Sequence, residues 1–342
     1  MTQDIDVTAL RTNCFRQSKV PGEFMLQLRA PGSLIDAKWL EFIQYIAQTW
    51  GNGQFHFGTR LTFDIPGIKY EDVPTVNEYI KPYIHETEVE MCDVDMQVND
   101  EGYPYIGPRN ITACIGGVHC IKAAQNTQRL ARKLEKVIYP SPYQIKIAVT
   151  GCPNDCNKAH FSDFGFVGCT IPEYEIDRCI GCGRCVDRCN NVATRVLSLN
   201  DQMKVDKDMC CCTGCGECVT VCPNSAWRRP NTQMWKVIIG GRTGKQYPRM
   251  GEMFANWMSE DAVVQMMANW QEFSAYVLDN KPVYMHGGHL LDRVGFPTFK
   301  RMMLKDVDLN PECIIADRVN WKEKEYRSNV NVKPLEEHKN WK

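Results

Sequence analysis

The sequence predicts an α+β protein into which a small cysteine-dense module has been inserted, and three observations carry that expectation. Stretches with strand-like alternation and stretches with helical spacing succeed one another through the N-terminal half. A cysteine pattern, Cys179-x2-Cys182-x2-Cys185-x3-Cys189, then recurs as Cys212-x2-Cys215-x2-Cys218-x3-Cys222-Pro223. Past Pro230 a strand-then-glycine pattern resumes at Met234 to Gly241, as if one domain continued after an interruption.

The elements follow in order. Phe24 to Arg29, after Pro21-Gly22, reads as a strand. Trp39, Ile43, Ile46 and Trp50 lie at helical spacing and predict a helix over 34–50, ended by Gly51-Asn52-Gly53. Phe55 to Ile65 reads as extended chain, and a second helix is expected after Glu71-Asp72-Val73-Pro74. From Arg109 a different unit begins, with a cysteine loop, a basic helix over 128–137 and a strand over Gln144 to Val149. A second cysteine loop opens with Gly151-Cys152-Pro153. After the module, the strand Met234 to Ile239 should lead into a helix over 250–278. The stretch 321–342 is charged and reads as a tail.

Composition excludes several classes of function. The formal net charge of −1 gives no global field for nucleic acid or an anionic membrane. No apolar run reaches the ~18 residues of a membrane span, and Met1 to Asp6 is acidic and unlike a signal peptide. The expected location is the cytoplasm, where disulfides rarely persist, so 18 cysteines point to metal clusters.

The repeat has the spacing of bacterial ferredoxins that hold two [4Fe-4S] clusters, in which the fourth thiolate of each run serves the other cluster. One expected set is therefore Cys179, Cys182, Cys185 and Cys222, and the other is Cys212, Cys215, Cys218 and Cys189. Asn190 stands where the first run would usually carry proline. Two structural zinc sites are the bland alternative, which two copies of this spacing disfavour. Cys210 and Cys211 crowd the second run, but the spacing to Pro223 selects Cys212.

A second set is spaced differently: Cys114-x5-Cys120, then Cys152-x3-Cys156. By itself it fits either a metal centre or buried small residues. With Gly151-Cys152-Pro153-Asn154-Asp155-Cys156 it resembles the siroheme and [4Fe-4S] signature of sulfite and nitrite reductases. Further matching segments are Thr49 to Gln54, Tyr139 to Tyr143, Gly240-Gly241-Arg242-Thr243 and His286-Gly287-Gly288-His289.

That resemblance implies a siroheme sulfite/nitrite reductase half-unit. A ferredoxin-like N-terminal half-domain would occupy 1–80, and a siroheme/[4Fe-4S] domain 81–171 and 231–320. The inserted 2[4Fe-4S] ferredoxin domain would occupy 172–230, and the tail 321–342. The cofactors would be siroheme and three [4Fe-4S] clusters, with Cys156 joining siroheme iron to the cluster of Cys114, Cys120 and Cys152. The reaction implied is the six-electron reduction of sulfite to sulfide; nitrite reduction to ammonia, or a non-catalytic electron carrier, are the rivals.

Sulfite is an anion, so its pocket needs cations that bind it and supply protons. The resemblance assigns Arg60, Arg109 and Lys146 to that pocket. Gln144 replaces the first lysine of a usual Lys-x-Lys pair, and a strand would put 144 and 146 on one face. Lys158 either restores that charge or meets a siroheme carboxylate. Candidate partners for the carboxylates are His119, Lys122, Arg129, Arg132, Lys133, Arg242, Lys245 and Arg249, while Gly240 and Gly241 would let backbone approach the macrocycle. His56, His286 and His289 read as packing or proton-network residues. Cys14, Cys92, Cys169, Cys210, Cys211 and Cys313 read as incidental small residues.

No G-x-G-x-x-G follows a strand, so electrons must come from partners. The resemblance implies flavin-containing and iron–sulfur donor subunits, and a second copy of the half-unit from another polypeptide.

Overall fold

The computed structural model describes residues 5, 10, 14–96, 111–244, 248–281 and 285–321. Arg109, Lys245 and the tail beyond Trp321 lie outside the described residues.

The N-terminal unit is a four-stranded antiparallel sheet in the order β1-β2-β4-β3, formed by β1 (Phe15–Gln17), β2 (Glu23–Leu28), β3 (His56–Phe57) and β4 (Phe63–Lys69). The helix Lys38–Thr49 buries Trp39, Ile43, Ile46 and Ala47, the face its spacing predicts, though it starts later than 34. A second helix, Val73–Tyr79, begins where the Glu71-Asp72-Val73-Pro74 signal puts it. The stretch 55–65 is not one extended segment: Gly58 N–H donates to Thr62 O at 2.8 Å and Leu61 N–H to Gly58 O at 2.8 Å. The chain reverses there, and β3 pairs antiparallel with β4. Phe57 and Phe63 face each other across that turn, so apolar residues at both ends hid the reversal.

The larger unit is built on a six-stranded sheet in the order β14-β13-β12-β7-β6-β5. Its strands are β5 (Thr112–Ala113), β6 (Ile147–Thr150), β7 (Phe164–Cys169), β12 (Met234–Ile239), β13 (Glu252–Ser259) and β14 (Ile314–Ile315). Strands β5, β6 and β7 run parallel, while β12, β13 and β14 continue antiparallel. The crossover from β5 to β6 is the basic helix Thr127–Ile138, capped by Asn126 and burying Leu130, Ala131, Leu134 and Ile138 on the core. The sheet strand β6 starts at Ile147, so Gln144 to Lys146 precede it instead of belonging to it.

The expected helix over 250–278 is corrected. Glu252–Ser259 is strand, and helices follow at Glu260–Ala268 and Trp270–Leu278. Strand β13 lies between β12 and β14 with Phe254 to Met258 all buried. A strand covered on both faces has no alternation to read, and its apolar run merges with that of the next helix.

Between β7 and β12 the chain leaves the sheet and returns, as the cysteine pattern suggests. There β8 (Glu173–Tyr174) pairs with β11 (Trp227–Arg228), and β9 (Leu197–Leu199) pairs with β10 (Val205–Lys207). Each cysteine run is a loop followed by a helix, Arg184–Val192 in the first and Glu217–Val221 in the second. Cys185, Cys189, Cys218, Leu197, Val205 and Trp227 form the small buried core.

One buried ion cluster ties the N-terminal unit to the larger one. Arg29 lies between Glu88, at 2.5 Å, and Glu135 of the crossover helix, at 2.9 Å. Burial pushes the Glu135 carboxyl up to about 7, against the pull of Arg29 and with the repulsion of Glu88. Among the described residues no helix is long and apolar enough to cross a membrane.

Candidate functional site

Parallel pairing decides where the first cysteine set meets. Thr112 opposes Ala148 and Ala113 opposes Val149, so β5 and β6 leave the sheet at the same end. The loops that follow carry Cys114 and Cys120, and Cys152 and Cys156. Cys114 N–H donates to Val149 O at 3.0 Å. Its Sγ accepts from Gly151 N–H at 3.2 Å and from Gly116 N–H at 3.4 Å. A Cβ on Gly151 would stand 2.9 Å from the Ala123 methyl, so only glycine lets the two loops close. The Cys152 thiol is pushed up by burial, and Cys156, Cys114 and Cys120 are close enough to add to it. Cys152 is buried and Cys156 exposed.

The residues around Cys156 hold the loop. Asp155 accepts from Ala159 N–H at 2.7 Å through Oδ1 and faces His160 Nδ1 at 2.8 Å through Oδ2. Asn157 Nδ2 donates to Thr112 Oγ1 at 3.0 Å, and Thr112 Oγ1 donates to Ile147 O at 3.3 Å. Arg60 Nη1 reaches that same Ile147 oxygen at 3.2 Å from the N-terminal unit. Arg60 is thus brought to the Cys156 loop through two side chains that sequence reasoning missed, Thr112 and Asn157. Neither belongs to a spacing pattern, and only the pairing of β5 with β6 puts them together.

Lys146 adjoins that carbonyl and is half-buried, with Nζ 3.5 Å from His286 Nε2. Gln144 is buried, and neither its Oε1 nor its Nε2 has a hydrogen-bond partner among the described residues. Lys158 is exposed, with a left-handed backbone at φ 57°. Gly240 and Gly241 make room for protein: a Cβ would meet the Trp321 ring at 2.4 Å in the first case and His160 O at 2.3 Å in the second. Arg242 and Arg249 are buried and share Asp292, at 2.5 and 2.7 Å.

The remaining basic candidates divide. His119, Arg129, Arg132 and Lys133 line one cavity of about 490 Å³, which Arg60, Lys146 and Lys158 do not line. Arg129 and Lys133 are paired there with Glu260, at 2.9 and 2.8 Å. Lys122 turns the other way, to Glu217 at 2.7 Å.

In the inserted module the cysteines line two cavities. One has Cys179, Cys182, Cys185 and Cys222 in its wall, the other Cys189, Cys212, Cys215 and Cys218. Each cavity therefore takes three cysteines from one run and the last cysteine of the other. Backbone N–H groups point at these sulfurs too, Gly214 at Cys212 at 3.4 Å and Ala226 at Cys222 at 3.2 Å. Among the described residues no three side chains close to the spacing of a single bound ion. A cluster of four irons, each taking one thiolate, does not require that. The leftover Cys14 and Cys169 are buried, and burial pushes both thiols up to about 12.

Two family models match this chain. The nitrite and sulphite reductase 4Fe-4S domain matches residues 105–310, and the nitrite/sulfite reductase ferredoxin-like half domain matches residues 16–83. The chain belongs to the nitrite and sulfite reductase family. Within that family it is 46% identical to the C subunit of the anaerobic sulfite reductase of Salmonella typhimurium, over 98% of this chain and 99% of that one. The fold is shared with dissimilatory sulfite reductase I, at a TM-score of 0.61 and 16% identity, over 92% of this chain and 77% of that one. It is also shared with the NirA protein of Mycobacterium tuberculosis, at a TM-score of 0.53 and 13% identity, over 89% of this chain and 47% of that one.

The donor sets fit the family's cofactors. Thiolates that receive backbone N–H bonds are the usual iron–sulfur ligands. The amide of Gln144 and the buried Arg132 Nε, which have no hydrogen-bond partner among the described residues, are polar groups of the kind a carboxylate-rich macrocycle or an anion would satisfy.

Proposed function

We propose that this protein reduces sulfite to hydrogen sulfide as the catalytic subunit of an anaerobic sulfite reductase. The observation that carries the reading is that, in a member of this family, the Cys114, Cys120, Cys152 and Cys156 thiols lie together at the end of β5 and β6, while Arg60 is hydrogen-bonded to Ile147 of β6. Cys114, Cys120, Cys152 and Cys156 would hold a [4Fe-4S] cluster, and Cys156 would also hold siroheme. Siroheme would supply the redox chemistry there.

The chain's own residues bind and orient the substrate. Arg60 and Lys146 present cations next to one peptide, with Arg109 as the third on the family resemblance. Each contributes roughly 4 kcal/mol of gross attraction at ~4 Å and an effective dielectric of ~20, much of which desolvation removes. Of these groups, only the Lys146 ammonium can give up a proton to a departing oxygen; the arginines stay charged. Gln144 offers a hydrogen bond without charge, and Lys158 stands at the solvent edge near Cys156.

The two cysteine-lined cavities between β7 and β12 would hold two further [4Fe-4S] clusters. Gly240, Gly241 and Arg242 back the site from behind the Asp163 and His160 segment. Electrons come from companion iron–sulfur and flavin-containing subunits, in the cytoplasm, and a second half-unit from another polypeptide completes the assembly.

Iron, labile sulfide and siroheme content of the anaerobically purified protein tests the cofactor set, with three cubanes and one siroheme per chain expected. Steady-state rates with a reduced viologen then test the substrate. Higher kcat/KM on nitrite than on sulfite would overturn the reading.

A further inference from the structure

We infer that Arg229 is a positioning residue for electron transfer. It fixes the loop between Cys215 and Cys218 against the Cys120 loop, and its charge raises the reduction potential of the cluster beside it. This role rests on the reading above that Cys189, Cys212, Cys215 and Cys218 hold a [4Fe-4S] cluster, and it adds a residue outside every cysteine motif.

Arg229 follows β11 and stands between two loops. On one side its Nη1 donates to Ala123 O at 3.2 Å. On the other lies Gly216, between Cys215 and Cys218: a Cβ there would stand 2.7 Å from Arg229 Nε and 2.9 Å from Nη2. Ala123 is the residue on which the first cysteine set closes. Its N–H donates to Cys120 O at 3.1 Å. Its methyl would stand 2.9 Å from a Cβ on Gly151 and 3.2 Å from one on Gly116. One guanidinium therefore lies against a loop of each set.

The Cys212 to Cys218 loop is laid on the larger unit at two further points. Thr170 N–H donates to Gly214 O at 3.0 Å, and Lys122 reaches Glu217 at 2.7 Å. The loop of Cys179 instead packs on its own segment. A Cβ on Gly181 would stand 2.8 Å from Met203 O, and Lys204 Nζ donates to Cys179 O at 2.6 Å. Ile180, in that loop, is 65% exposed.

Arginine carries five N–H donors and stays charged. Arg229 Nε and Nη2 are buried and have no hydrogen-bond partner among the described residues, where Arg229 also has no ion-pair partner. Glu217, the carboxylate of the adjoining loop, is taken by Lys122 at 2.7 Å and Arg188 at 2.8 Å. Lys236 of β12 acts on Cys212 as well and stays in every variant below. A cluster held by four thiolates gains one negative charge on reduction. A cation fixed beside it in a partly dry site favours the reduced form, which raises the potential.

A redox titration of the whole protein with dithionite and mediators, followed by electron paramagnetic resonance, tests the role. Dithionite is oxidised and each reducible cluster takes up one electron. In Arg229→Gln one ferredoxin-type signal is expected to fall by about 59 mV, a tenfold change in a one-electron equilibrium. The other ferredoxin-type signal should stay. Cys212→Ser identifies the pair: the signal it removes or alters is the one that Arg229→Gln moves. Arg229→Lys keeps the charge and should stay near the wild-type potential. A merely structural strap would fail in Lys as in Gln, because neither rebuilds the planar fork.

Unmoved potentials in Arg229→Gln overturn the inference, as does an equal fall in Arg229→Lys or a shift of the other signal alone. Arg229→Met keeps the apolar stem and serves if Arg229→Gln does not load its clusters, with the same fall expected. If neither neutral variant loads, Arg229→Lys decides alone: a tenfold change there overturns the inference, and a potential near wild type supports it. Iron and labile sulfide of the wild-type protein judge the cluster reading separately. Their absence removes that reading and the role of Arg229 with it, whereas clusters present at unmoved potentials remove the role alone.

Discussion

Arg60, on the turn between β3 and β4, donates from Nη1 to the carbonyl oxygen of Ile147 at 3.2 Å. A side chain of the N-terminal unit thereby ends on the first residue of the strand that leads to Cys152 and Cys156. Arg60→Ala removes both that tether and the cation we propose for the substrate pocket. We expect KM for sulfite to rise about 10- to 100-fold, the range for losing one charged hydrogen bond of about 1.5–3 kcal/mol. An optical sulfite titration of the siroheme should weaken in parallel, and an unchanged KM would remove Arg60 from the pocket.

Cys156→Ser tests the proposal that the Cys156 sulfur joins siroheme to a cluster. Cys156 is exposed, so the loss of its thiol leaves no cavity in the core. Siroheme absorbance should disappear or shift, while the electron paramagnetic resonance of reduced ferredoxin-type clusters persists. Loss of every cluster signal together would contradict the separation of the sites.

Glu135 links stability to pH. Its carboxyl is raised from 4.5 to about 7, mainly by burial, so the folded state binds a proton that the unfolded chain has released. Stability from this group is therefore greatest below 4.5 and declines as pH rises towards about 7. Glu135→Gln should flatten the decline, which amounts to a few kcal/mol at about 1.4 kcal/mol per unit. Melting temperature against pH for the two proteins checks it. Parallel curves would show that Arg29 carries the charge of Glu135 without cost.

Glu217 joins the cysteine-rich segment between β7 and β12 to the loop that carries Cys114 and Cys120. It lies between Cys215 and Cys218, and accepts from Lys122, two residues past Cys120, at 2.7 Å and from Arg188 at 2.8 Å. Burial raises its carboxyl, but these hydrogen bonds outweigh it and hold the group below its ordinary range. Its stabilisation is present above the unfolded carboxyl value and lost as pH falls through the lowered one. Glu217→Gln should cost about 1 kcal/mol, because both cations are partly exposed. Faster limited proteolysis within 172–230 at neutral pH is the measurement, and an unchanged rate would deny the clamp.

The readable parts of this molecule were those whose signal is carried by neighbours in the chain. The helix Lys38–Thr49 follows from Trp39, Ile43 and Ile46, and the crossover helix from its basic, periodic pattern. The strand β13 was read as helix because it is buried on both faces, which erases the period that distinguishes the two. The turn after β3 was missed because its polar contacts, Gly58 to Thr62, sit inside an aromatic run.

For the site, the sequence determined which cysteines group together, because a cluster loop needs short fixed spacings between thiols, and spacing is a property of the chain itself. The pocket candidates Arg60, Arg109 and Lys146 came from the family resemblance, with Lys158 beside them. Only the tertiary structure decided that Ile147 and Thr112 link Arg60 to Asn157, that Asp163 and His286 lie next to Lys146, and that Arg242 and Arg249 turn to Asp292. Those meetings depend on which strands pair and in which register. Hydrogen bonds and ion pairs act over a few ångströms of space, whatever number of residues separates the partners along the chain.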